Sequence, residues 1–181
     1  MHMAEYPAAL ARDYRLADGR TVTIRPIRAG DAVREAEFLR GLSWETLYFR
    51  FHKFVAAPSE KLVHFFTDID YERHMAFVCV HATERGEEIV GEARYVVNPD
   101  DVSCDFGIVI ADAWQKTGIA GLLMHRLIAT ARERGLQRME GLVLSGNARM
   151  LRFARALGFE IRSMPEDPAT KVIVKQLANS P

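Results

Sequence analysis

The sequence predicts an α/β fold of the α+β kind: a single domain with a mixed central β-sheet of about seven strands and helices on both faces. Three observations predict it. Three strand-like segments stand together in mid-chain, "HMAFVCVHAT", "EEIVGEARYVV" and "VSCDFGIVI", separated by "ERG" and "NPDD", the turn chemistry of an antiparallel meander. After them, helical and strand patterns alternate. A length of 181 residues with 49% hydrophobic residues suits one globular core.

The elements follow in order. Residues 1–20 read as an N-terminal arm and 21–177 as the domain. "TVTIRPIR" (Thr21 to Arg28) alternates Val22 and Ile24 with polar partners and reads as a strand. "GDAVREAEFLRGL" is a short helix with Asp31 as its candidate cap and Val33, Ala36, Phe38 and Leu39 as its apolar residues. "LSWETLYFRFHKF" is a second helix, with Ser43 as cap and an aromatic-rich face, and "PSEKLVHFFTDI" adds one or two further helical turns. The three meander strands come next. A helix then runs from about Ile119 to Arg134 and stops at Gly135, with Ile119, Leu122, Leu123, Leu127 and Ala131 close to one face. "RMEGLVL" is a strand, and "NARMLRFARAL" is a helix capped by Asn147 and ended by Gly158. "GFEIRS" and "KVIVKQL" are the last strands. No repeat, low-complexity tract or linker interrupts the order.

Composition narrows the function. The 24 basic and 24 acidic residues cancel, so no field over the whole surface recruits nucleic acid or an anionic membrane, although a local basic spot stays open. Cys79 and Cys104 lie in apolar runs and read as buried small hydrophobes in a reducing compartment. No Cys or His pair has ligand spacing, so no metal is expected. No apolar run approaches the ~20 residues of a membrane span, and the N-terminus lacks the pattern of a signal peptide. The chain is read as cytoplasmic.

The chemistry concentrates in "WQKTGIAGLL", Trp114 to Leu123, which follows the strand "DFGIVI" and opens the long helix. The backbone N–H groups of Lys116, Thr117, Gly118, Ile119, Ala120 and Gly121 sit at a helix start, where unpaired donors collect and the dipole adds about half a positive charge. Gly118 and Ala120 leave room for a bulky anion, and Lys116 can add a full charge; together these make a phosphate site. A plain glycine turn with a solvated lysine is the alternative. The loop matches neither G-x-x-x-x-G-K-[ST] nor an early G-x-G-x-x-G.

These residues resemble the GCN5-related N-acetyltransferase (GNAT) superfamily. Its [QR]-x-x-G-x-[GA] signature is matched by Gln115, Gly118 and Ala120, and its second motif, Asn to Gly-Phe, by Asn147 through Gly158 and Phe159. The motif separation and the element order match as well, over roughly Thr21 to Leu177. The resemblance implies acetyl-CoA as co-substrate. Loop amides would hold the pyrophosphate, the backbone of Ile108, Val109 and Ile110 would pair with the pantetheine arm as an added strand, and Asn147 would contact the pantetheine. Core packing for the three strand residues and helix capping for Asn147 are compatible with those roles.

"TIRPIRAGD" and "LSWETLYFRF" are similar, more narrowly, to the acetyltransferase domain of bacterial protein-lysine acetyltransferases that modify acyl-CoA synthetases. Ser43, Thr46, Tyr48, Arg50 and Phe51 match the L-S-x-E-[ST]-x-Y-x-R-F pattern; an aromatic core face is the alternative reading. In that family the fourth strand reads A-E-F-A and its Glu is the base. Here it reads "CDFG", which makes Asp105 the candidate general base, acting directly or through water; a solvent-facing strand carboxylate is the alternative. The Tyr expected seven residues after the motif Asn is Ala154, so no side chain of that helix serves as acid. The partners implied are acyl-CoA and an amine acceptor, a protein lysine or a small molecule, with a homodimer left open. A non-catalytic acyl-CoA sensor is the rival from another class.

Overall fold

The computed structural model describes residues 5–53 and 57–178. Residues 1–4 of the arm and Phe54, the last residue of "LSWETLYFRFHKF", lie outside them. The expected mixed sheet with helices on both faces is present, with eight strands. In chain order the elements are β1 (Arg12–Arg15), β2 (Thr21–Pro26), α1 (Ala32–Arg40), α2 (Trp44–Phe51), α3 (Glu60–Thr67), β3 (His74–Thr83), β4 (Gly86–Val97), β5 (Ser103–Ile110), α4 (Ile119–Glu133), β6 (Arg138–Leu144), α5 (Ala148–Ala156), β7 (Glu160–Ser163) and β8 (Thr170–Gln176). The additional strand, β1, comes from the stretch read as an arm: Arg12 to Arg15 pair with Ile24 to Thr21.

The sheet order is β1-β2-β3-β4-β5-β6-β8-β7. Every pairing is antiparallel except β5 with β6, joined through α4 in a parallel crossover. Alternation along β4 assigns the helices to faces. A Cβ on Gly91 would meet Leu123 and Ile119 of α4, so this position faces α4. Its neighbour Glu92 points the other way, toward Glu35 of α1. On the α4 side Ile119, Leu123, Leu127 and Ala131 are buried, as the helical spacing predicts, whereas Leu122 is only half-buried and Met124, not among the expected residues, is fully buried.

Three helices, α2, α3 and α5, start on a side-chain cap. Ser43, Ser59 and Asn147 cap their helices through side-chain oxygens that accept from Thr46, Leu62 and Met150 amides, at 3.2, 3.1 and 3.1 Å. Asp31 makes no such cap bond. It is fully buried, and its carboxylate takes Nη1 and Nη2 of Arg25 at 2.7 and 2.8 Å, so a buried ion pair outcompetes the cap.

Candidate active site

β5 and β6 pair only over Ser103–Arg138, Cys104–Met139 and Asp105–Glu140. Beyond that point they separate. β5 continues along β4 to Ile110, and β6 continues along β8 to Leu144. The fork leaves one edge of Phe106 to Ile110 without a neighbouring strand and opens a cleft of about 1100 Å³. Among its lining residues are Asp105, Ile108, Val109, Ile110, Gln115, Lys116, Gly118, Ile119, Ala120, Gly121 and Asn147. Thr117 alone of the expected site residues does not line it; its hydroxyl donates to the Trp114 carbonyl at 2.6 Å and so closes the turn.

The loop at the end of the fork is built to expose donors. After the helical turn Asp112–Trp114, Lys116 takes a left-handed conformation with φ 65°, and Gly118 does the same at φ 92° as the residue before α4. A Cβ on Gly118 would meet nothing within 4 Å, so the glycine serves backbone conformation and open approach, not packing. α4 has no side-chain cap, and the amides of Lys116 through Gly121 donate to no acceptor among the described residues. Consecutive free amides at a helix start form an anion-binding concavity.

Gln115 has a different task. Its Nε2 donates to the Ile110 carbonyl at 3.3 Å and Thr46 Oγ1 at 3.4 Å, while its Oε1 accepts from Arg149 Nη1 at 2.5 Å. Both ends of the side chain are used to tie the loop to β5, α2 and α5. Asn147 spends its Oδ1 on its own helix cap. Asp112, which sequence reasoning missed, fastens α2 to the same loop: it accepts from the Ser43 amide at 2.9 Å, the Ser43 hydroxyl at 2.8 Å and the Thr46 hydroxyl at 2.8 Å. Burial raises its pKa, but these bonds outweigh that and hold the carboxyl below its ordinary value. Nothing in a lone "DAW" announces such a role.

Asp105 stands at the fork itself, paired in register with Glu140. It is exposed, and Asn98 Nδ2 donates to its Oδ1 at 3.1 Å. Register with β4 puts Asp105, Gly107 and Val109 on the face shared with Arg94 and Glu92. That face carries a buried charged cluster. Glu92 accepts from Arg94 Nε at 2.8 Å and pairs with its Nη2, and Arg94 Nη1 lies 2.8 Å from His74 Nε2. Burial and the neighbouring Glu92 push Glu35 well above the usual carboxylate range; Glu92 is held low because Arg94 outweighs its own burial. Arg50 of α2 completes the cluster and reaches the cleft. Among the described residues no group of His, Cys, Asp and Glu is arranged to hold a metal.

The family model described as "Acetyltransferase (GNAT) family" matches residues 39–159, from α1 to the end of the second motif. The chain belongs to the GNAT acetyltransferase family. It is 37% identical over 158 residues to an acetyltransferase of Pseudomonas aeruginosa, covering 87% of this chain and 84% of that protein. It is 31% identical over 136 residues to the acetyltransferase Pat of Mycolicibacterium smegmatis, covering 75% of this chain but only 40% of Pat. The crystal structure of the GNAT domain of S. lividans PAT superposes with a TM-score of 0.85 at 28% identity, over 95% of this chain and 99% of that one. GNAT proteins move an acyl group from acyl-CoA to an amine, and this GNAT domain is an acyltransferase of that general kind.

Proposed function

We propose that this GNAT domain moves an acetyl group from acetyl-CoA to a primary amine, and that the acceptor is a lysine on a protein. The observation that carries the cofactor half is the run of six unpartnered amides, Lys116 through Gly121, beside the open edge of β5. They suit a pyrophosphate, and the edge at Ile108 to Ile110 suits an arm added as a strand. Bound there, acetyl-CoA supplies an acyl group already activated as a thioester.

The chain's own residues have two tasks. The first is protonation of the acceptor. A free lysine amine has a pKa near 10.4, so neutralising it at pH 7 costs about 4.6 kcal/mol. Asp105 is our candidate to take that proton. It lies four residues from Val109 on one face, about 13 Å along the strand, so the proton travels through water. The second task is the negative charge developing on the carbonyl oxygen; the backbone N–H of Ile110, on the open edge of β5, is our candidate to receive it, since that of Val109 faces β4. The amine nitrogen bonds to the carbonyl carbon, the C–S bond breaks, and the thiolate leaves without a dedicated acid, its pKa being near the ~8.5 of a cysteine thiol.

Support for a protein acceptor is the similarity to Pat and to S. lividans PAT, together with the "LSWETLYFRF" segment and its resemblance to the bacterial protein-lysine acetyltransferases. Labelled acetyl-CoA incubated with the protein and a cell extract is expected to label a discrete protein band. Label confined to small metabolites contradicts the lysine assignment and favours a small-molecule amine. Binding of acetyl-CoA without acceptor-dependent release of CoA contradicts catalysis and favours a sensor.

A further inference from the structure

The chain contains two buried arginines that show how it normally treats a sequestered guanidinium. Arg25 gives two hydrogen bonds to Asp31, and Arg94 gives two to Glu92. Arg50 breaks that rule. Its Nε is sealed from solvent and has no hydrogen-bond partner. Among the described residues its guanidinium makes no hydrogen bond and no ion pair within 4.0 Å. The side chain is otherwise half-buried and opens on the cleft, so its guanidinium can take an anion that the protein alone does not supply.

Its placement is specific. A Cβ on Gly107 would meet Arg50 Cζ, Nη2 and Nη1 at 2.6, 2.7 and 2.8 Å, so the guanidinium lies against β5 where only glycine leaves room. Phe51 and Phe66 hold it from behind, with ring centroids 5.1 and 5.8 Å from its Cζ. The cation thus sits between Asp105 and Val109 on the face that carries both, and it forms part of the cleft wall. The nearby carboxyls of Glu92 and Glu35 attract it but make no hydrogen bond to it. Glu92 is committed to Arg94, and burial beside Glu92 favours the protonated form of Glu35. Of the other cations lining the cleft, Arg149 donates to Gln115 and Lys116 belongs to the loop given to the pyrophosphate, which leaves Arg50 for a second anionic group.

We propose that Arg50 receives a carboxylate of a substrate bound in this cleft, which makes it the specificity-determining residue of the site. This rests on reading the cleft as an acyltransferase site. Gly107 lies two residues from Val109 on the same face, about 7 Å along the strand. An acceptor lysine with a neighbouring acidic side chain can therefore place that carboxylate on Arg50 and its amine toward Val109. A carboxylate at the end of a longer acyl group offers the same chemistry from the other substrate.

The test measures kcat/KM for amine acceptors presented in pairs, each as its carboxylate and as its carboxamide, and for acetyl-CoA against succinyl-CoA. Acetyl-CoA affinity is measured separately by calorimetry. Wild type is expected to favour the carboxylate member by about 10–100-fold. A preference within the acceptor pairs assigns the carboxylate to the amine; a preference for succinyl-CoA assigns it to the acyl group. Arg50→Gln is expected to flatten whichever preference exists to within about threefold. Gly107→Ala, which drives a methyl into the guanidinium while keeping its charge, is expected to do the same and serves if Arg50→Gln does not fold. Equal rates on both arms in a protein that binds acetyl-CoA overturn the Arg50 assignment alone. So does a uniform loss across all substrates in Arg50→Gln. Failure of wild type to bind acetyl-CoA overturns the acyltransferase reading, and this inference with it.

Discussion

Asp105 carries the smallest-scale claim. It stands where β5 parts from β6, exposed to the cleft, with Asn98 steadying one carboxylate oxygen. That setting suits a base that works through solvent, since nothing buries the carboxylate against a reacting atom. Asp105→Asn keeps the size and the hydrogen-bond acceptor but removes the base. The variant is expected to lose about 10²–10⁴ in kcat, to keep its acetyl-CoA affinity, and to lose the acidic limb of its kcat/KM pH profile. A variant that retains both turnover and that limb shows Asp105 to be structural. At this scale the sequence was only partly legible. Gly118 and Asn147 could be read from motif and capping chemistry. The tasks of Gln115 and Arg50 could not, because each depends on partners far away in sequence: Thr46 and Arg149 for the first, Gly107 for the second.

Among elements, the position of α2 decides the shape of the cleft. It is fixed to the loop before α4 by Asp112, whose carboxylate gathers the Ser43 amide and the Ser43 and Thr46 hydroxyls. Two residues of the "LSWETLYFRF" pattern are thereby accounted for as fasteners. Asp112→Ala should cost about 1–3 kcal/mol of stability, read from urea unfolding with an unchanged slope, and should weaken acetyl-CoA binding because the loop loses its support. A loss below about 0.5 kcal/mol contradicts this fastening role. The helix and strand order was legible because periodicity and caps are local signals. β1 was not: its residues, Arg12–Arg15, are mostly exposed and charged, so only pairing with β2 reveals the strand.

Across the whole molecule, the buried polar cluster behind the site links stability to pH. Burial and the adjacent Arg94 push His74 down to about 4. Between pH 6.5 and 4 the unfolded chain binds a proton here that the folded chain refuses, so stability falls as pH falls through this window. Glu35 works in the opposite sense, since its raised pKa removes stability as pH rises. His74→Gln keeps an acceptor for Arg94 without a titrating ring, and Glu35 cancels in the comparison. Wild type is expected to lose about 2–3 kcal/mol more than His74→Gln between pH 7.5 and 4, as read from chemical denaturation at each pH. Parallel curves would place the ring's titration outside the folded core. No local pattern signals this cluster: Glu35, Arg50, His74, Glu92 and Arg94 come from four elements and look like ordinary surface charges in the sequence. The central claim, that the free amides before α4 hold the diphosphate of acetyl-CoA, is tested most directly by calorimetric titration of acetyl-CoA into wild type, Gly118→Ala and Gly118→Glu. Gly118→Ala controls for the strain of a side chain at φ 92°, about 1–2 kcal/mol. The account predicts saturable binding to wild type, binding weakened by no more than that strain in Gly118→Ala, and none detectable in a folded Gly118→Glu, where a carboxylate meets the pyrophosphate. Wild-type affinity in Gly118→Glu contradicts it.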